Sequence, residues 1–332
     1  MFLIAEIAQA HEGSLGIAHS YIDALAETGV DAVKFQVHIA EAESSGLEQF
    51  RVNFSYEDAT RFDYWKRMEF TAEQWAGLKT HCEEKGMEFL ASPFSVAAVE
   101  LLEQLGVKQY KIGSGELSNF LMLQRIAQTG KPIILSSGMS NWEELDGTIA
   151  FLKPFGNKLS LMQCTTAYPT QPEQWGLQVM AEMRQRYGIP VGFSDHSANI
   201  YAGLAAAALG ASMLEFHVVF HKTMFGPDAK ASLTIEETAA LAEGCRQIRQ
   251  ALDSPVAKAD SSSYATLKTM FGKSLCVNKD LEAGHILTLD DLESKKPGDA
   301  GIPAQQFRDC LGKALSNNLA RWSFLKPEHL KP

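Results

Sequence analysis

The sequence predicts an α/β protein: a (β/α)8 TIM barrel followed by a small C-terminal β-rich domain. Two observations carry the barrel. Eight apolar, strand-length segments alternate with amphipathic helical segments across the first 252 of 332 residues, and such strict alternation builds parallel sheet with helices outside it. That stretch holds neither a second block of strands nor a Gly-rich dinucleotide fingerprint. A doubly wound sheet is the alternative, but eight regular units favour closure. A change of composition after Leu252 marks the second domain.

The units follow in order. FLIAEIA (2–8) reads as a buried strand, and SLGIAHSYIDALAETG as a helix stopped by Gly29. DAVKFQV (31–37) is the second strand. The polar and aromatic segment 38–71 is too long for an ordinary connection and reads as a functional loop or lid. Helix 72–85, strand 87–92, helix 95–105 and strand 108–114 come next, then helix 119–129, strand 132–137, helix 141–153 and strand 158–164. Helix 173–187 leads to the strand VGFSD, helix 198–209 to the strand SMLEFHV, and a helix over 235–252 closes the barrel.

Side-chain parity then selects a site, because alternate residues of a barrel strand face inward. In DAVKFQV, Val33, Phe35 and Val37 face the helices, leaving Lys34 and Gln36 inside. The same count puts Glu6, Lys111, Glu215 and His217 inside, with Ser92 and Ser136 closing strands three and five. Buried charge without a partner is too costly to persist by accident. So many polar groups at the carboxyl ends of different strands mark a catalytic mouth, where barrels keep their active sites. His196 and His217 end adjacent strands, which lie ~5 Å apart. With Asp195, Glu215 and Asp228 nearby they compose a candidate divalent-metal site. Lys34 and Lys111, with Ser114 and Ser136, supply a cationic pocket for a phosphate.

Composition narrows the function. The net charge of −10 argues against nucleic acid or anionic lipid as partners, so an anionic substrate requires that local basic pocket. No apolar run of about 18 residues exists to span a membrane, and the start MFLIAEIAQAHEG lacks a basic region and cleavage site. Five scattered cysteines without C-x-x-C spacing fit reduced thiols in cytosol. The residues 253–270 read as a Ser/Ala/Lys linker, and 271–332 as a module barely large enough to hold a core, expected to dock on the barrel or on a partner subunit.

The segments AEIAQAHEGSL, DAVKFQ, KGMEFLASPFS, YKIGSGELSNF, GKPIILSSGMS, QCTTAYPT, GFSDHS, GPDAKASL and VNKDLEAGHILTLDDL resemble the sialic acid synthase family over nearly the whole chain. That resemblance implies a phosphoenolpyruvate-dependent transferase, condensing phosphoenolpyruvate with an N-acyl amino sugar to a nonulosonic acid and phosphate. It implies a barrel (1–252) with a terminal SAF, or antifreeze-like, domain (271–332), arranged as a domain-swapped homodimer in the cytoplasm. It implies His196 and His217 as ligands of a divalent metal, Mn²⁺ with Mg²⁺ or Co²⁺ as substitutes. Glu6, Glu215 and Asp228 become catalytic carboxylates. Lys34, Ser92, Lys111, Ser114 and Ser136 take phosphoenolpyruvate, while Gln36, Thr166, Tyr168, Asp228 and Lys296 take the sugar.

Several positions depart from the family pattern. EIGxNH reads Glu6-Ile7-Ala8-Gln9-Ala10-His11, losing a Gly and an Asn. Phe216 replaces a basic residue, but on the helix-facing side of its strand. Thr166 stands for an asparagine of some bacterial members. Lys296 stands for an Arg that reaches the N-acetyl group, and Lys cannot reproduce a planar bidentate donor, which leaves the sugar open. The alternatives are a 3-deoxyulosonate-phosphate synthase, whose acceptors are phosphorylated and which lacks the terminal module, and a non-catalytic carbohydrate-binding barrel.

Overall fold

Strand β1 (Phe2–Ala8) pairs in parallel both with β2 (Ala32–Val37) and with the eighth strand, from the other end of the barrel sequence. This is the closure that eight units demand. The computed structural model describes residues 1–50 and 55–331. The other strands are β3 (Glu88–Pro93), β4 (Tyr110–Ile112), β5 (Ile133–Ser136), β6 (Leu159–Cys164), β7 (Val191–Asp195) and β8 (Met213–His217). Their order is β3-β2-β1-β8-β7-β6-β5-β4, and β3 adjoins β4 at the remaining seam.

The first helices are α1 (Leu15–Ala26), α2 (Ala40–Glu43), α3 (Arg61–Met68), α4 (Ala72–Glu84) and α5 (Val96–Leu105). They continue with α6 (Phe120–Ala127), α7 (Trp142–Leu152), α8 (Val179–Tyr187), α9 (Tyr201–Ala208) and α10 (Ile235–Asp253). Local chemistry starts them. Ser14, Thr60, Thr71, Ser95, Asn119, Asn141 and Thr234 each accept a backbone N–H of the first turn. At Thr60, Thr71, Asn141 and Thr234 the third residue returns the bond, satisfying donors that a helix start leaves open.

Parity sorts the strand residues into two layers. Val33, Phe35, Val37, Tyr110, Ile112, Leu214, Phe216 and Val218 join the core under the helices. Burying one such large side chain is worth about 2–3 kcal/mol. Inside the barrel, Ile4, Ala32, Leu90, Ile134, Met162 and Met213 form a separate apolar plug. Two residues further along the strands the lining turns polar, with Glu6 opposite Lys34 on one side and His217 on the other. The plug keeps water out from below, so the charges above it are held in a low-dielectric floor.

Within the barrel three expectations change, apart from shifts of a residue or two at element ends. The segment 38–71 is not a bare loop: it carries α2 and α3, although Arg51–Phe54 lie outside the described residues. The helix expected over 173–187 begins only at Val179, after a 3-10 turn at Pro172–Gln174 and Gly176 at φ 64°. The helix expected from 198 begins at Tyr201, because Asp195, Ser197 and Asn199 bind neighbouring backbone groups and stabilise a turn instead.

The chain divides into two compact units after Ser254. The second opens inside the expected linker with α11 (Ala265–Phe271). It then pairs β9 (Ser274–Val277) antiparallel to β10 (Leu292–Lys295) and adds the short α12 (Phe307–Cys310). Leu275, Val277, Leu281, Leu287, Leu315, Leu319 and Leu325 are among its buried core residues. All five cysteines are buried and free. Among the described residues, no helix is long and apolar enough to cross a membrane.

Candidate active site

Above the apolar plug lies a cavity of about 470 Å³. The barrel residues expected at the site line it except two: Asp195, and Glu6, which is buried in the cavity floor behind Gln36 and Lys34.

The floor is a charge network. Lys34 Nζ forms an ion pair with Glu6 Oε2 and lies 3.6 Å from Glu215 Oε2. Lys111 Nζ donates to Glu215 Oε1 at 2.8 Å, and Ser194 Oγ donates to the same oxygen at 3.2 Å. Two lysines and two carboxylates balance, which is what makes their burial tolerable. Burial works against ionised Glu215, but Lys111 and Lys34 outweigh it and draw its pKa down to about 2. Burial dominates at Glu6, whose pKa rises despite the pull of Lys34. Burial also opposes the charge on Lys34, yet Glu215 and Glu6 raise its pKa above the ordinary value.

This alters the expected free cationic pocket. Lys34 and Lys111 are neutralised by carboxylates, so an incoming anion must share them. The capacity to do so lies beside them. Ser92 Oγ and Ser136 Oγ are buried with no hydrogen-bond partner among the described residues. Buried hydroxyls are rarely left so, and each such group costs stability. Ser114 Oγ, by contrast, accepts from Gly138 N at 3.0 Å.

On the opposite wall the His196 and His217 rings stand 5.2 Å apart, with the Tyr168 ring 4.2 Å from His196. His196 donates from Nδ1 to the Thr165 carbonyl at 3.0 Å, which leaves Nε2 as the nitrogen able to take a ligand. His217 Nδ1 lies 3.9 Å from Asp228 Oδ2. Burial holds the His217 pKa down to about 4, so the ring stays neutral and its lone pair available. Burial works the same way on His196, but Cys164, the Thr165 carbonyl and Asp195 raise its pKa above the ordinary value. A proton would therefore compete with a metal there.

The wider ligand set expected around these rings is corrected. Asp195 turns its carboxylate to the backbone N and hydroxyl of Ser197, both at 2.9 Å. Glu215 is spent on the lysines. Two imidazoles and Asp228 remain, a donor set that fits a divalent ion whose other positions go to water and substrate. No group of three or more His, Cys, Asp or Glu side chains is preassembled for a metal among the described residues.

Gln36, Thr166, Tyr168 and Asp228, the barrel residues expected to take the sugar, line the cavity, and so do residues that the sequence reading missed: Gln9, His38, Glu43, Glu48, Arg61, Trp65 and Phe94. Five of these come from 38–71, whose length and aromatic content were the available signal. Arg67 anchors that segment: it bonds Asp58 Oδ2 at 2.8 Å and Glu12 Oε2 at 3.0 Å. Gly13, at φ 73°, lies so close to the Arg67 carbonyl that a Cβ could not fit.

The geometry agrees with the comparisons. A family profile described as NeuB matches residues 21–257, and a SAF domain profile matches 272–331. The chain belongs to the NeuB family. It is 34% identical over 322 residues to the N,N'-diacetyllegionaminic acid synthase of Campylobacter jejuni, covering 95% of this chain and 96% of that one. It is 35% identical over 317 residues to the human N-acetylneuraminate-9-phosphate synthase, covering 95% and 88%. The N-acetylneuraminic acid synthetase of Leptospira borgpetersenii, solved with citrate, superimposes with a TM-score of 0.71 at 28% identity, over 80% and 89% of the chains.

As a NeuB-family chain it carries its departures in legible places. Ala8, where the family has Gly, takes the left-handed φ of 49° at an irregularity in the β1–β2 register, a conformation that disfavours a Cβ. Phe216 packs under the helices, so the lost basic residue does not touch the cavity. Lys296 lies in the second unit, its Nζ 4.8 Å from the Phe271 ring centre.

Proposed function

We propose that this protein condenses phosphoenolpyruvate with an N-acyl amino sugar, giving a nonulosonic acid and phosphate. One observation carries the reading: two serine hydroxyls with no hydrogen-bond partner among the described residues line the same cavity as two buried lysines and a pair of imidazoles. That is an anion seat next to an electrophile seat. Membership of the NeuB family and the named activities of its relatives support it.

Lys34, Lys111, Ser92 and Ser136 hold the phosphate, and Ser114 supports the rim. A divalent ion, Mn²⁺ by preference, held by His196 and His217 would supply Lewis-acid polarisation of the open-chain aldehyde. C3 of phosphoenolpyruvate attacks that carbon, leaving cationic character at C2. Water adds at C2 and gives its proton to Asp228, which lines the cavity, while the aldehyde oxygen takes up a proton to become the new hydroxyl; Glu6, behind Gln36 and Lys34, holds those two side chains in place. The tetrahedral phosphohemiketal collapses with cleavage of the C–O bond, and the lysines stabilise the departing phosphate. Gln36, Thr166, Tyr168 and Asp228 position the sugar.

The acceptor we propose is N-acetylmannosamine or a related 2-acetamido or 2,4-diacetamido hexose. We also propose a domain-swapped homodimer in the cytoplasm, in which Lys296 of one copy serves the sugar of the other. Phosphate release with phosphoenolpyruvate and a panel of these sugars, free and 6-phosphorylated, tests the reading. Excess EDTA is expected to abolish release and Mn²⁺ to restore it. Full turnover in EDTA, or none on any amino sugar with metal present, overturns the scheme.

A further inference from the structure

A polar chain runs along the cavity wall from Glu6 to Glu43, and its direction is set from both ends. Gln36 Nε2 donates to Glu6 Oε1 at 2.9 Å. Gln36 Oε1 therefore faces away from Glu6, and Gln9 Nε2 donates to it at 2.5 Å. Gln9 Nε2 also lies 2.9 Å from His38 Nε2, while His38 Nδ1 lies 2.7 Å from Glu43 Oε1. A carboxylate can only accept, so the His38 proton sits on Nδ1 and its Nε2 accepts from Gln9. The 3.3 Å approach of His38 Nε2 to Gln36 Oε1 brings together two acceptors that share the Gln9 amide.

The opposite amide orientation at Gln9 would press its carbonyl against that of Gln36. The His38 ring cannot swing aside to relieve this. It is stacked between Trp65, with centroids 3.7 Å apart, and Phe94, at 4.4 Å. Both Nε2 protons of Gln9 are thus used, and its Oε1 has no hydrogen-bond partner among the described residues. Gln9 is 5% exposed and lines the cavity.

We propose that Gln9 is a specificity-determining residue for the acceptor. Its side-chain carbonyl takes a hydrogen bond from a hydroxyl or acylamino N–H of the sugar. Glu43 and His38 are positioning residues: they decide that the carbonyl, not the NH2 group, is offered to the substrate. Without Glu43, His38 can carry its proton on Nε2, which sets it against the Gln9 amide and frees the carbonyl from its aim. This inference rests on the acceptor reading above.

Two measurements test it on the full-length protein. The first is ¹⁵N spectroscopy of the His38 ring, which needs no turnover. The wild type is expected to be protonated on Nδ1, Glu43→Ala to lose that preference, and Glu43→Gln, whose carbonyl can still accept, to recover it. The second is phosphate release with each substrate varied in turn. Gln9→Ala and Glu43→Ala are expected to raise the acceptor KM roughly fivefold to tenfold, the worth of one neutral hydrogen bond. The phosphoenolpyruvate KM should stay within about twofold, with Glu43→Gln recovering most of the loss. A wild-type His38 protonated on Nε2 overturns the positioning role. An unchanged acceptor KM in Gln9→Ala, or equal rises for both substrates, overturns the specificity role. A wild type that turns over no amino sugar defeats the function reading instead, and the ring spectra still decide the orientation.

Discussion

Lys111 Nζ donates to Glu215 Oε1 at 2.8 Å, and both side chains are only 4% exposed. Removing one partner of such a pair leaves a desolvated charge. Lys111→Ala is therefore expected to destabilise the fold by about 3–5 kcal/mol. Lys111→Met combined with Glu215→Leu should recover much of that stability while abolishing activity. Urea unfolding of the two variants checks the coupling, and a single variant no less stable than the double one would contradict it.

Ser136 separates binding from stability. Its Oγ is buried with no hydrogen-bond partner among the described residues, so Ser136→Ala removes an unsatisfied group and should stabilise the metal- and substrate-free fold by about 1 kcal/mol. A hydrogen bond to a charged phosphate is worth about 1.5–3 kcal/mol, which sets a rise in phosphoenolpyruvate KM of roughly tenfold to a hundredfold. Saturation kinetics with phosphoenolpyruvate varied gives the answer. An unchanged KM would remove Ser136 from the anion seat.

His217 makes stability depend on pH. Its pKa falls from an ordinary 6.5 to about 4 in the folded state because burial penalises the charged ring. Between those values the unfolded chain binds a proton that the folded chain refuses, so stability rises with pH there. The contribution is full above pH 6.5 and is lost as pH falls toward 4. Its limit is about 3 kcal/mol. Metal-free melting curves of wild type and His217→Gln, compared from pH 7 to 4, isolate it: the difference between them should change by that amount. Parallel pH profiles would contradict the neutral-ring assignment.

Ala8 bears a φ of 49°, in the left-handed region. Ala8→Gly relieves about 1 kcal/mol of backbone strain, partly offset by the extra freedom of glycine in the unfolded chain. A net gain of about 0.5 kcal/mol is expected, and a loss of more than about 1 kcal/mol for Ala8→Val. Thermal melting of both variants measures it. A valine variant as stable as wild type would show that the strain is absent.

The barrel, its inward residues and the two facing histidines were legible in the chain. Period two along a strand and the change to helical spacing are local properties, and they survive folding. That is why Lys34, Gln36, Glu215 and His217 fall where parity puts them. Element ends were less legible. Short side-chain turns such as Asp195-Ser197 compete with helix for the same backbone groups, and propensity does not say which wins. Asp195 was misread for the same reason: a carboxylate beside a histidine looks like a ligand until its hydrogen bonds are known.

Only three-dimensional packing decided how the charges are shared. The amino-acid order brings Lys34 and Lys111 to the barrel floor, but the pairing of Lys111 with Glu215 joins residues 104 positions apart in the chain. The same holds for the acceptor wall, where His38, Trp65 and Phe94 stack although they come from separate parts of the chain. Local pattern sets which face of a strand is polar. Which acid meets which base across the barrel depends on strand closure and stagger, and these are properties of the assembled sheet.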